Sequence, residues 1–130
     1  MITVLFIAAG GALGAVSRYA ISLVVVAMLG AYWQPLATLM VNVVGSGLMG
    51  LAYGMISAGM LYLSEPLRGM ILIGFLGALT TFSSFSLDIA VMIDRGQVSM
   101  AGFYLIGSVL LSVAAFAMAA GAVRLMAGGQ

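Results

Sequence analysis

Long apolar runs separated by short polar interruptions divide the chain into four predicted helices. Charged residues leave the stretches 19–64, 69–87 and 96–123 without any charge. Because a helix that crosses a bilayer needs about 20 mostly apolar residues, the run 19–64 is too long for one span and predicts the end of one helix and a whole second one. The stretch GAYWQP, residues 30–35, separates them, since Gly and Pro disfavour continued helix while Tyr and Trp suit the lipid headgroup region.

Two further polar interruptions complete this division. SAGMLYLSEP, residues 57–66, ends in Glu65-Pro66, a typical helix start, and DRGQ, residues 94–97, reads as a short turn. The pattern therefore predicts one four-helix domain over residues 1–130, with helices at 2–29, 36–58, 67–93 and 100–126.

Composition places this all-α chain in the membrane. Of its 130 residues 65% are hydrophobic and 5% charged, whereas soluble domains have about 25% charged residues. The N-terminus has no Lys or Arg before its apolar run, and the hydrophobicity continues well beyond it, which disfavours a cleaved secretory signal. With neither Cys nor His and a net charge of +1, the chain has no disulfide, no ordinary zinc site, no histidine-based catalysis and no electrostatic footprint for nucleic acid. We predict an integral membrane protein that is not an enzyme.

The third predicted helix contains residues that weaken it in mid-membrane. In GFLGALTTFSSFS, residues 74–86, Gly74 and Gly77 precede Thr80 and Thr81. Gly is costly inside a helix, and Thr competes for backbone carbonyls. A break at membrane depth is tolerated only where protein or a wet cavity satisfies the freed backbone, and it frees carbonyls for a cation. We predict that the third helix is broken.

Phe82 and Phe85 follow the predicted break on one helix face. The rim of a phenyl ring is electropositive, so two rings presented edge-on can hold an anion without any cationic side chain. Composition alone favours the simpler interpretation, that the rings belong to an ordinary hydrophobic core.

Polar side chains also recur in the second and fourth predicted helices. Asn42 lies one turn before Ser46, and its amide is suited either to an anion or to an interhelical hydrogen bond. Tyr104, Ser108 and Ser112 recur every four residues. This hydroxyl stripe is suited to hydrating a passing ion in stages, and equally to bonding with the carbonyls of its own helix.

Two charged residues lie inside the predicted spans and away from their ends. Arg18 follows 17 residues of helix, about 26 Å at 1.5 Å per residue, so we expect it to reach the far interface by snorkelling or to draw anions into a vestibule. Asp88 lies beyond the phenylalanines and is suited to capping a helix, pairing with an Arg or lining an aqueous mouth.

Glycine pairs indicate close helix packing. Gly10 with Gly14, and Gly50 with Gly54, have the spacing that lets two helix backbones approach. The spacing does not say which helix is the partner.

Charge distribution and size bear on assembly. Four helices enclose little room for a polar path, so a transport site most simply requires a second copy, and a symmetric dimer is the commonest closed assembly. If both termini lie on one side, that side carries Arg68 and Arg124, and the other carries Arg95 and at most Arg18. Such a weak bias fits a chain that inserts both ways and pairs antiparallel, and equally a chain whose slight bias still decides its orientation.

Three motifs now form a set. GGALGAVSRY (10–19), ATLMVNVVGS (37–46) and GFLGALTTFSSFS (74–86) resemble, in order, the signature stretches of the Fluc, or CrcB-type, fluoride channels. The length and the four-helix layout are similar too. The sequence departs from the family pattern at Ala37 and Ala78, where Gly is common, at Ser84, where Thr is usual, and at Asp88, where Glu is frequent.

The resemblance implies a fluoride-selective channel in the cell inner membrane that passively exports fluoride and confers resistance to it. It further implies an antiparallel, dual-topology homodimer with two pores. The backbone carbonyls of Gly77 and Thr80 from both subunits would hold a structural Na⁺, and Arg18 would lie near a vestibule. Matching the motifs residue by residue gives the pore residues Asn42, Phe82, Ser83, Phe85, Tyr104, Ser108 and Ser112.

Two other functions compete with this interpretation. A small proton-coupled multidrug exporter has the same size and helix number, but it needs a carboxylate in its first helix, and residues 2–29 contain none. A non-transporting scaffold subunit would not need the cluster of hydroxyl and phenyl groups.

Overall fold

The computed structural model describes residues 1–128, and these fold into long helices. Helix α1 spans Ile2–Leu29, and a 3₁₀ turn at Ala31–Trp33 leads into α2, Gln34–Ser57. Helix α3, residues 65–79, is continuous but widens to a π-helix over Gly69–Leu76. Helices α4, Phe82–Asp94, and α5, Val98–Gly128, complete the chain.

Four spans are long and apolar enough to cross a membrane, with α3 and α4 together forming the third, Glu65–Asp94. The chain is thus an all-α, multi-pass membrane protein. The four predicted spans overlap these four, and the differences lie at the ends. Helix α2 begins two residues early because Pro35 stands in its first turn, where its missing N–H costs nothing. The single domain over residues 1–130 stays a prediction. Residues 129 and 130 of that domain lie outside the described part of the chain.

Helices α1 and α3 run side by side with their backbones in close contact. A Cβ added at Gly10 would overlap the carbonyl oxygen of Met70, and one at Gly14 would overlap that of Phe75. Because the obstacle is backbone and not a movable side chain, only Gly fits at these two positions.

The second glycine pair joins α2 to α5 in the same way. A Cβ added at Gly50 would overlap the carbonyl oxygen of Phe116, and one at Gly54 would lie 3.2 Å from the Cα of Ala120. Both predicted glycine pairs therefore bind helices of one chain to each other, which gives two parallel helix pairs, α1 with α3 and α2 with α5.

The third span breaks between these pairs, at Thr80 and Thr81. Both threonines have extended backbone, with ψ of 153° and 124°. Residues 65–79 pack mainly on α1, whereas α4 packs on α2 and α5. The predicted break is present. Gly74 and Gly77 remain helical, and the two threonines are the residues that leave the helix.

A small apolar cluster lies directly before the break. Val41 of α2 packs there with Leu76 and Leu79 of α3, and all three side chains are buried. This packing holds the end of α3 against α2, so that the two following residues lie beside the polar side chain of Asn42.

Candidate functional site

The break redirects the hydrogen bonds of α3. Thr80 still donates its N–H to the carbonyl of Leu76, at 3.1 Å, and its hydroxyl donates to the same oxygen, at 2.9 Å. In a continuous helix the N–H of Thr81 would bond to the carbonyl of Gly77. It donates instead to Oδ1 of Asn42, at 2.7 Å. The Gly77 carbonyl is therefore freed from its helical partner.

Asn42 supplies both of the hydrogen bonds that Thr81 loses. Its Oδ1 accepts the Thr81 N–H at 2.7 Å, and its Nδ2 donates to the Thr81 carbonyl at 3.0 Å. The orientation of the amide follows from the chemistry, because only oxygen can accept and only nitrogen can donate. The interhelical hydrogen bond, one of the two interpretations of Asn42, is present in the structure, and the second Nδ2 hydrogen remains as a further donor.

Hydroxyl groups cap the start of α4. The Thr81 hydroxyl accepts the N–H of Ser84 at 3.2 Å, the usual N-cap bond. It lies 3.2 Å from the Ser83 hydroxyl and donates to that of Ser84 at 3.1 Å. Ser86 bonds back to the carbonyl of Phe82 at 2.9 Å. The many hydroxyls of the TTFSSFS segment thus serve first to restart a helix.

Arg18 reaches into the break and not to the interface. Its Nε donates to the carbonyl of Ala78 at 3.1 Å, and its Nη1 donates to the Ser84 hydroxyl at 3.3 Å. The snorkelling predicted for Arg18 is wrong, because the break offers acceptors at the same depth as its side chain. Arg18 lines a cavity of about 380 Å³ together with Ser22, Gln34, Thr38, Thr81 and Ser84.

A groove of about 440 Å³ lies on another side of the break. Phe82 is 76% exposed and Phe85 only 5%, and their ring centroids are 5.4 Å apart. Ser108 is buried, and its Oγ has no hydrogen-bond partner within residues 1–128. The groove brings together most of the predicted pore and sodium residues, namely Asn42, Gly77, Thr80, Phe82, Phe85, Ser108 and Ser112.

Two predicted pore residues lie apart from this groove. Tyr104 contacts the Phe85 ring at a centroid distance of 5.4 Å and donates its hydroxyl to Oδ2 of Asp88 at 3.0 Å. Ser83 is exposed and lies with the capping hydroxyls. Of the predicted stripe, Ser108 and Ser112 line this groove, whereas Tyr104 lines another cavity.

Tyr104 and Asp88 instead face a third cavity, of about 740 Å³. Of the three roles considered for Asp88, the structure shows it lining a cavity, with its carboxylate bound to Tyr104. This cavity lies beside two of the three connections between the spans, and its polar and aromatic lining includes Tyr32, Trp33, Gln34, Arg95 and Gln97.

Comparison with known proteins identifies the family. The profile of the family described as CrcB-like protein, Camphor Resistance (CrcB), matches residues 5–122. The chain belongs to the CrcB family.

Relatives of this CrcB-family chain carry a functional name. A protein of Aeromonas salmonicida named fluoride-specific ion channel FluC is 49% identical over 74% of this chain and 75% of its own length. Proteins of the same name from Aliivibrio salmonicida and Photobacterium profundum are each 46% identical over 85% of this chain, and over 86% and 85% of their own lengths.

Sequence reasoning missed two features of the site. It predicted neither that the Ala78 carbonyl would accept a hydrogen bond from Arg18 nor that Asn42 would pair with Thr81. A capping signal was available for Thr81, since a Thr directly before the first residue of a helix is a typical N-cap. No sequence signal pointed to the Ala78 carbonyl, because every residue has one.

Asn42→Ala should destabilise the folded protein by about 1–3 kcal/mol, because it leaves the half-buried N–H and carbonyl of Thr81 unpaired. Thermal unfolding in detergent measures the effect. Ser46→Ala is the matched control, since it removes a polar group from the same helix face and leaves the Thr81 hydrogen bonds intact. Equal melting temperatures for the two variants would show that the Asn42 bonds contribute nothing to stability.

Proposed function

We propose that this CrcB-family chain is a fluoride channel, and not an enzyme, that lets fluoride leave the cell passively through the inner membrane and so confers fluoride resistance. The observation that carries the proposal is the groove beside the break. It combines uncharged donors with two phenyl rings, and none of the residues that line it is charged. The names of the relatives, at 46–49% identity, support the same function.

The chemistry of the groove suits a small, strongly hydrated anion. A pore must replace the water of the ion without holding it too tightly for release. Neutral N–H and O–H donors do so more gently than Arg or Lys. The unpartnered Oγ of Ser108 supports this role, because a buried hydroxyl without a partner is costly and a passing anion would accept its proton. The edges of Phe82 and Phe85 would supply the positive rim that an anion prefers.

The alternative, a small proton-coupled multidrug exporter, has less support. Its mechanism needs a carboxylate in the first helix, and α1 contains no Asp or Glu. Within residues 1–128 the acid inside a span, Asp88, already accepts the hydroxyl of Tyr104.

We further propose that the chain works as an antiparallel homodimer with two pores. Phe82 is 76% exposed beside an open groove, so a second copy would complete the ion path. The capture of Arg18 by the break removes it from the balance of charges near the membrane surfaces. If both termini lie on one side, that side carries Arg68 and Arg124 and the other carries Arg95 alone. This difference in positive charge is small enough to permit both orientations in the membrane.

A structural Na⁺ at the centre of the dimer fits the residues present. The carbonyl of Gly77 has lost its helical partner to Asn42, and the extended backbone of Thr80 turns its carbonyl away from the helix axis. Oxygen ligands suit a hard cation. No group of three or more acidic, His or Cys side chains suited to a metal occurs within the described residues, so the ligands would be these carbonyls from both subunits. A bound Na⁺ would add positive potential near the groove.

Fluoride efflux is the decisive measurement. Proteoliposomes loaded with potassium fluoride should release fluoride once a potassium ionophore removes the charge barrier, and vesicles loaded with chloride should release chloride far more slowly. A fluoride electrode and a chloride electrode follow the two ions. The channel assignment fails if fluoride stays inside, or if chloride leaves equally fast.

Phe82→Ile should lower fluoride flux about tenfold, as expected when an aromatic edge contact is lost. It should hardly change the melting temperature of the chain, because the ring is 76% exposed. The matched control is Phe6→Ile in α1, because Phe6 does not line the groove. Wild-type flux in Phe82→Ile would mean that the ring does not contact the ion.

Replacing Na⁺ by N-methylglucamine should shift the purified protein from dimer to monomer, because the carbonyl ligands of the two subunits would lose the cation that joins them. Size-exclusion chromatography with light scattering measures the shift. K⁺ is the control for ionic strength. A dimer fraction that is the same in all three salts argues against the Na⁺ site.

A further inference from the structure

Arg18 contacts the third span on both sides of its break. Its Nε binds the carbonyl of Ala78, in the last turn of α3, and its Nη1 binds the hydroxyl of Ser84, in the first turn of α4. One guanidinium of α1 thus connects two helices that no longer share a hydrogen-bond ladder.

We propose that Arg18 is a positioning residue that holds the two halves of the broken span in their working arrangement. The Ala78 carbonyl belongs to the C-terminal end of α3, where the helix dipole favours a cation. An unpaired carbonyl at membrane depth is costly, so this contact removes a penalty that the break itself creates.

Through its contact with Ser84, Arg18 also helps to fix where α4 begins beside the proposed ion path. The Ser84 hydroxyl also accepts from Thr81, and the Thr81 backbone is held by Asn42. Phe82 follows Thr81 directly and lines the groove. Arg18 from α1 and Asn42 from α2 therefore fix the point from which α4 and its phenylalanines begin.

This role differs from the attraction of anions by a vestibule charge. A charge role requires only a cation, which Lys supplies. The positioning role requires a planar fork whose nitrogens reach two separate acceptors, and the compact ammonium of Lys lacks this geometry. The two roles therefore make opposite predictions for Arg18→Lys.

The test compares Arg18→Lys, Arg18→Gln and Arg124→Lys in lipid nanodiscs and proteoliposomes. Arg124, which lies 5.9 Å from the Tyr53 ring centroid, is the matched Arg control outside the site. Hydrogen–deuterium exchange measured by mass spectrometry should show amides 80–84 exchanging about tenfold faster in both Arg18 variants, since each loses charge-assisted hydrogen bonds. Peptides of α2 and α5 away from the break should exchange as in the wild type, and Arg124→Lys should change nothing at residues 80–84.

Anion selectivity separates positioning from a simple loss of folded protein. Fewer active channels would lower total flux and leave the ratio of fluoride to chloride flux unchanged. A displaced α4 should lower that ratio, about tenfold in both Arg18 variants, and to the same extent at 20 mM and 500 mM salt. Recovery of flux at wild-type selectivity in Arg18→Lys, together with wild-type exchange, would overturn the proposal in favour of the charge role.

Ser84→Ala provides a second route if an Arg18 variant does not fold. It removes one acceptor of the fork and leaves the charge of Arg18 in place, so it should reproduce the faster exchange at residues 80–84 to a smaller extent. Unchanged exchange there would also overturn the proposal. The flux arm rests on the proposed fluoride function, whereas the exchange arm does not. A wild type without fluoride flux would refute the function, and exchange would still decide the role of Arg18.

Discussion

The structure depends on one constraint, the pairing of backbone groups that a broken helix frees inside a membrane span, where lipid offers them no hydrogen-bond partner. At Thr80 and Thr81 the helical hydrogen bonds of the third span are interrupted, and side chains of two other helices bond to the freed backbone groups. Asn42 of α2 pairs both backbone groups of Thr81, and Arg18 of α1 pairs the carbonyl of Ala78. The glycine contacts serve the same end, because only closely packed helices bring side chains of this length to the break.

The pairing is incomplete at the groove, and this incompleteness is chemically useful. Asn42 takes the N–H that Gly77 would have bonded, and Ser108 is buried without a partner within the described residues. A protein interior rarely leaves such groups unsatisfied. Both face one groove, so the break creates a carbonyl suited to a cation and leaves a hydroxyl suited to an anion at neighbouring positions.

Helix number, membrane class and the broken third span could be predicted from sequence because they depend on local composition and spacing. Partners could not. The Gly10 and Gly50 motifs indicated close packing. The helix that each motif contacts depends on how four helices of similar composition are arranged in space. The prediction for Arg18 failed for a related reason, since helix length gives the depth of a side chain and not the acceptors present at that depth. The stripe of Tyr104, Ser108 and Ser112 had the spacing of one face, yet its members line two cavities, because spacing along one helix does not say which side chains of other helices lie beside each member.

The two phenylalanines are held in different ways. Phe85 is buried, between contacts with Phe82 and Tyr104, so its position is set within one chain. Phe82 is 76% exposed, and its ring is held on one side only. A pore built from both rings would therefore have one wall that each chain makes alone and another that forms only when a second surface covers Phe82. The hydroxyl of Tyr104, already donated to Asp88, presents lone pairs and not a proton to its cavity. Within one chain, the O–H donors suited to an anion in the groove reduce to Ser46, Ser108 and Ser112, next to the ring whose outer side is open.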